Sequence, residues 1–163
     1  KRALSAACDG LVSDRGREGA LLRDALLAIH GTMSAHLTAI EVIRPLVPMR
    51  YRDKLKERLA VLLEGGGTSF DAVRLEQELA IFADKADLAE ECTRLAAHLG
   101  KLLALLTDSK TVAVGRPLDF LNQEILREIN TIGSKARDLD ITGRVLELKN
   151  LSENLKEQIA NLE

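Results

Sequence analysis

The chain has 163 residues, of which 46% are hydrophobic, and a net charge of −2 at pH 7. Aromatic residues make up only 2% and tryptophan is absent, so a core must be built from Leu, Ile, Val and Ala. That composition suits helix-on-helix packing better than a sheet sandwich, and the small net charge leaves any anion binding to local clusters.

Cys8 and Cys92 lie far apart and outside any metal-ligand spacing, as expected of a reduced cytoplasmic protein. No apolar run approaches the ~18 residues of a membrane span, no stretch resembles a signal peptide, and no membrane partner is expected. The chain starts Lys1-Arg2 without an initiator Met, and we expect it to be part of something longer.

Residues 1–13 read as a linker, a helix end or the end of a missing N-terminal domain, and residues 14–163 as a helical domain. A long helix is predicted from Asp14 to Leu46, with Leu21, Leu22, Ala25, Ile29, Met33, His36 and Ile40 as its stripe. His30 and His36 look like packing residues in it, and Pro45 and Pro48 end or kink it. A second helix, Met49 to Leu63, carries Tyr51, Leu55, Leu59 and Leu62 on one side. Its other side is basic: Arg44, Arg50, Arg52, Lys54, Lys56 and Arg58 stand against Asp53 and Glu57. That run is either a solvated face or an RNA-facing patch, without aromatic interleaving for base stacking.

Gly65-Gly66-Gly67 is a breaker rather than a phosphate loop, because no Gly-Lys-Ser/Thr ending follows it. The next helical pattern runs from Asp71 to Leu106, with a weak point near Asp84–Asp87, and Thr107 to Gly115 reads as a loop. In LDFLNQEILREINTIGSK, residues 118–135, the apolar positions Leu118, Leu121, Ile125, Ile129 and Ile132 form one narrow helical stripe, which Gly133 interrupts near its end. A last helix, Asp140 to Leu162, has Val145, Leu148, Leu151, Leu155 and Ile159 as its seam. The fold class is all-α: long helices in antiparallel hairpins, forming an elongated bundle. Surplus Leu/Ile surface on such long helices points to a homo-oligomer.

The chemistry-bearing groups concentrate late in the chain. His98 lies seven residues after Glu91, on the same helix face, with Arg94 between them. Taken alone, it reads as a salt-bridged or solvated histidine, because a metal site needs further ligands from another helix. Glu124 and Glu128 are i, i+4, so their carboxylates project together and repel unless a cation compensates. Gln123, Arg127, Asn130 and Ser134 form a second polar row, suited to hydrogen bonds with backbone or phosphate oxygens. Spacing alone leaves two readings open, a polar interhelical network or a binding or catalytic site.

GRPLDFLNQEILREINTIGSKA (115–136) resembles the signature of the bacterial YicC/YloC family of stress-associated endoribonucleases. RLEQELAIFADKADLAEECTRLAAHL (74–99) and VLELKNLSENLKEQIANLE (145–163) fit the same pattern, and REGALLRDAL (17–26) fits it more loosely. Lys156 and Pro117 depart from it. The resemblance implies the C-terminal half of a longer protein that cleaves RNA with a divalent metal, Mn or Mg, in stress-associated RNA turnover. Within its characteristic polar positions, chemistry distributes the roles. Glu91, His98, Asp119, Glu124 and Glu128 are candidate metal ligands. His98, Glu124 and Glu128 are the candidate catalytic residues, while Arg94, Arg116, Arg127 and Lys135 would grip RNA phosphates. The rival readings are a non-catalytic RNA-binding module and an oligomerisation arm.

Overall fold

The computed structural model describes residues 2–64, 72–108 and 115–161. Six helices occupy them: α1 (Arg2–Ile43), α2 (Val47–Glu64), α3 (Ala72–Lys85), α4 (Ala89–Thr107), α5 (Gly115–Lys135) and α6 (Leu139–Ala160). No strand occurs among the described residues, so the all-α class holds.

Four of the helices close a ring of neighbours: α1 packs on α4 and α6, and α5 packs on α4 and α6. The pairs Glu91–Lys135 and Arg94–Glu128 show that α4 and α5 run antiparallel, as Asn122–Ser152 together with the approach of Gly133 to Val145 does for α5 and α6. This is a four-helix bundle of alternating direction. Its centre holds the apolar stripes of the last two helices as the 3.6-residue period predicts. Leu118, Ile125, Ile129 and Ile132 are fully buried, with Leu148 and Leu155 across from them in the same core. Burying each such side chain contributes about 1.5–3 kcal/mol.

In α1 the buried face is Leu26, Met33, Leu37 and Ile40, whereas Leu21 and Ala25 of the expected stripe face solvent. Leu22, Ile29, Met33 and Ile40 of that stripe do pack on the core, and Leu26 and Leu37 join them there. Helix α1 also takes in residues 2–13, beyond the part that packs on the bundle. By length and composition alone, a window within Ala6–Val61 is apolar enough to cross a membrane, which the run-length reading did not register. Its residues Leu26, Met33, Leu37 and Ile40 belong to the bundle core.

α1 ends just before Pro45, as expected. A 3-10 turn, Arg44–Leu46, follows α1, and Ile43 and Val47 on either side keep right-handed helical angles. The chain then leaves the bundle as an α2–α3 arm, in which Tyr51 stacks on Phe82 with ring centroids 3.6 Å apart. The break expected near Asp84–Asp87 falls between Lys85 and Ala89, where buried Ala86 and Leu88 return the chain to the core. The proposed triple-glycine breaker, most of the 107–115 loop and the Leu62 side chain lie outside the described residues.

Candidate active site

The α4–α5 interface carries a polar seam because each helix sets acids and bases beside its apolar stripe. At one end, Lys135 Nζ donates to Glu91 Oε1 at 2.7 Å and to the Asp87 carbonyl at 3.4 Å. Glu91 is buried and its second oxygen, Oε2, has no hydrogen-bond partner. The hydrogen bond from Lys135 to the Glu91 carboxylate raises the lysine pKa. The next level holds Glu90, Arg94 and Glu128. Arg94 pairs with Glu90 one turn back on α4, and its Nη1 lies 4.0 Å from Oε1 of Glu128, which is only 5% exposed. One further turn along each antiparallel helix sets His98 level with Glu124. His98 is half-buried, and its Nδ1 is buried without a partner.

The structure thus draws Glu91, Arg94, Glu128 and Lys135 of the candidate residues onto one interface, with His98 and Glu124 at the next level. The others are placed elsewhere. Asp119 accepts a hydrogen bond from Gln123 on its own helix at 3.0 Å, and Arg127 lies 3.9 Å from Glu124. Arg116 is exposed at the start of α5 without an ion pair among the described residues. The second polar row (Gln123, Arg127, Asn130 and Ser134) lines a shallow groove of about 530 Å³ on the outer face of α5.

The expected metal-ligand set is not assembled. Among the described residues no three His, Cys, Asp or Glu side chains gather in a way that would hold a metal ion. The reason is helical geometry: Lys135, which binds Glu91, is sixteen residues from Asp119, about 24 Å along α5 at 1.5 Å per residue. Glu91 already has an ammonium partner, and Glu128 has a guanidinium beside it. The donor set of this stretch therefore does not fit a self-contained divalent centre.

Sequence reasoning missed three features. Asn122 and Ser152 are buried and bonded to each other between α5 and α6. Their signal was legible, since each is a polar residue standing at three- and four-residue spacing within an apolar stripe. Arg50, counted among the RNA-facing cations, is committed within the fold to Asp138 at 2.7 Å and Asp140 at 2.9 Å. The basic run also has an aromatic neighbour after all, because α3 brings Phe82 onto Tyr51.

Residues 40–163 match the family described as endoribonuclease YicC-like, C-terminal. The chain belongs to this family. Among its YicC-like relatives, a protein of Clostridioides difficile named probable endoribonuclease YicC is 40% identical over 91% of this chain and 50% of its own length. A protein of the same name from Haemophilus influenzae is 38% identical over 98% of the chain and 55% of its own length. The YicC-like chain thus spans about half the length of the curated relatives it matches.

Proposed function

We propose that this chain is the C-terminal part of a longer endoribonuclease that cleaves RNA phosphodiester bonds, and that the α4–α5 seam takes part in the chemistry. The observation that carries the reading is the match, across nearly the whole chain, to relatives named probable endoribonuclease.

Cleavage requires an attacking oxygen, from water or a ribose 2′-hydroxyl, to lose its proton and bond to phosphorus. The bond from phosphorus to the leaving oxygen then breaks, and that oxygen gains a proton. Imidazole both accepts and gives a proton near neutral pH, so His98 is assigned the proton transfer. Arg94, beside it on α4, is assigned the charge of the phosphate oxygens, and buried Glu128 positions that guanidinium. Lys135 is held to Glu91 and supports the seam, while Glu124 lies level with His98.

Dependence on Mn or Mg stays part of the proposal for the longer protein, in which at least one further ligand comes from outside the described residues. The ungathered carboxylates favour one competing reading, an RNA-binding module without chemistry of its own. Self-association belongs to the proposal as well, because α1 outruns its packed segment and exposes Leu11 and Val12. A cytoplasmic setting and a role in stress-associated RNA turnover complete it.

The test is cleavage of an end-labelled RNA by the longer protein, as wild type, His98→Ala and Glu128→Gln, with and without EDTA. Loss of an acid–base group lowers the rate by about 10²–10⁴, so His98→Ala is expected to fall by that factor with its melting temperature unchanged. Glu128→Gln is expected to cleave more slowly, with a smaller loss than His98→Ala. Wild-type rates in both variants would remove the seam from the mechanism, and no cleavage by any form would leave the binding reading.

A further inference from the structure

Where the α2–α3 arm meets the α5–α6 turn, the two enclose a cleft of about 430 Å³. Its lining combines two chemistries. One group is apolar and aromatic: Val47, the stacked Tyr51 and Phe82, and Leu139, which is 88% exposed. The other is cationic: Lys54, Arg58 and Arg137 are exposed and free of ion pairs among the described residues. The acids that also line the cleft, Asp138 and Asp140, are both engaged by Arg50, which ties the arm to the start of α6. Once those three residues are set against one another, an excess of positive charge faces the cavity.

From this juxtaposition we infer that the cleft binds one nucleotide unit of single-stranded RNA. The base packs against Tyr51, Phe82 and Leu139, and the flanking phosphates meet Lys54, Arg58 and Arg137. An apolar stacking surface beside exposed cations is the pairing that single-stranded nucleic acid requires, since every base offers a π-face and every linkage a charge. The cleft adjoins the Lys135 end of the α4–α5 seam, because Arg137 and Asp138 follow α5 directly. An RNA strand anchored there is positioned to run along the seam. The inference deepens the RNA-cleaving reading and rests on it for the choice of RNA over other nucleoside phosphates.

The test uses an internal probe. Tyr51 is the only tyrosine and the chain has no tryptophan, so tyrosine fluorescence reports on this cleft alone. An octauridylate titrated into the chain, with absorbance correction, is expected to quench Tyr51 in a saturable way. In fluorescence anisotropy with a labelled octauridylate, Lys54→Ser/Arg58→Ser/Arg137→Ser is expected to bind on the order of tenfold more weakly, with the salt slope of log affinity reduced by about 2. The charge-matched control Arg23→Ser/Lys101→Ser/Lys156→Ser is expected to bind as wild type does. No Tyr51 quenching, or equal losses in both triple variants, would overturn the site. Uridine monophosphate binding as tightly as the octamer would overturn the assignment to an RNA strand. Cleavage by the longer protein is scored separately: cleft binding with no cleavage refutes the endoribonuclease reading, and cleavage with no cleft effect refutes this one.

Discussion

Asn122 and Ser152 bond to each other twice across the buried α5–α6 interface. Ser152 Oγ donates to Asn122 Oδ1 at 2.9 Å, and Asn122 Nδ2 donates to the Ser152 carbonyl at 3.0 Å. Both residues are nearly inaccessible, so neither side chain has water as an alternative partner. The pair pins the register of two helices whose apolar stripes alone would tolerate sliding. Ser152→Ala is expected to lower stability by about 1–3 kcal/mol, because it strands the Asn122 carbonyl oxygen. The double variant Asn122→Leu/Ser152→Ala should lose less than the two single changes added together. Thermal melting followed by circular dichroism measures all four forms, and strict additivity would show that the bonds are not coupled.

Gly133 marks a close approach between the same helices. A Cβ added there would lie 3.0 Å from Val145 Cγ1. Alanine gains about 1 kcal/mol in helix propensity over glycine, against the cost of moving Val145, so Gly133→Ala should be close to neutral. Gly133→Val adds two methyl groups to the same space and is expected to cost about 1–3 kcal/mol. Urea unfolding midpoints of the two variants test this, and equal midpoints would mean that the helices separate freely at this level.

The Arg50–Asp138 contact predicts an acid-sensitive arm. Burial pushes the Asp138 carboxyl up. The hydrogen bond from Arg50, with those from the Ile141 and Asp140 backbone N–H groups, outweighs it and holds the group below the usual carboxylate range. A lowered folded pKa contributes stability above the unfolded value of about 3.9, and that stability is lost as pH falls through the folded value. The contribution is therefore level from pH 5 upward and declines below about pH 4. Asp138→Asn keeps a residue able to cap α6 but gives up the charge. Its stability should fall below wild type at pH 6 and approach it toward pH 3. A constant difference across that range, measured by urea unfolding, would show that the charge of Asp138 contributes nothing.

The two thiols should separate kinetically. Burial, the main cause, pushes the Cys92 thiol up to about 11, whereas Cys8 is exposed. At pH 8 the native chain is expected to show one fast-reacting thiol with a disulfide reagent and the second only after unfolding in urea. Two fast thiols in the native protein would mean that the α4 face carrying Cys92 opens readily.

The sequence by itself determined the helical class, the break before α4, and the buried faces of α5 and α6. These depend on local period and composition, which a stretch of chain carries whatever its neighbours do. It also marked the polar residues of the α4–α5 seam as richer than a solvated surface needs. Only the tertiary structure decided which of them meet. Glu91 finds Lys135 and Arg94 approaches Glu128, whereas Asp119 stays with Gln123, because antiparallel packing joins residues at matching heights and separates those at opposite helix ends. The same packing brought Leu26 and Leu37 into the buried face of α1 and left Leu21 and Ala25 in solvent. It also committed Arg50 to Asp138 and carried Phe82 onto Tyr51, contacts between residues far apart in the chain that no helical period encodes.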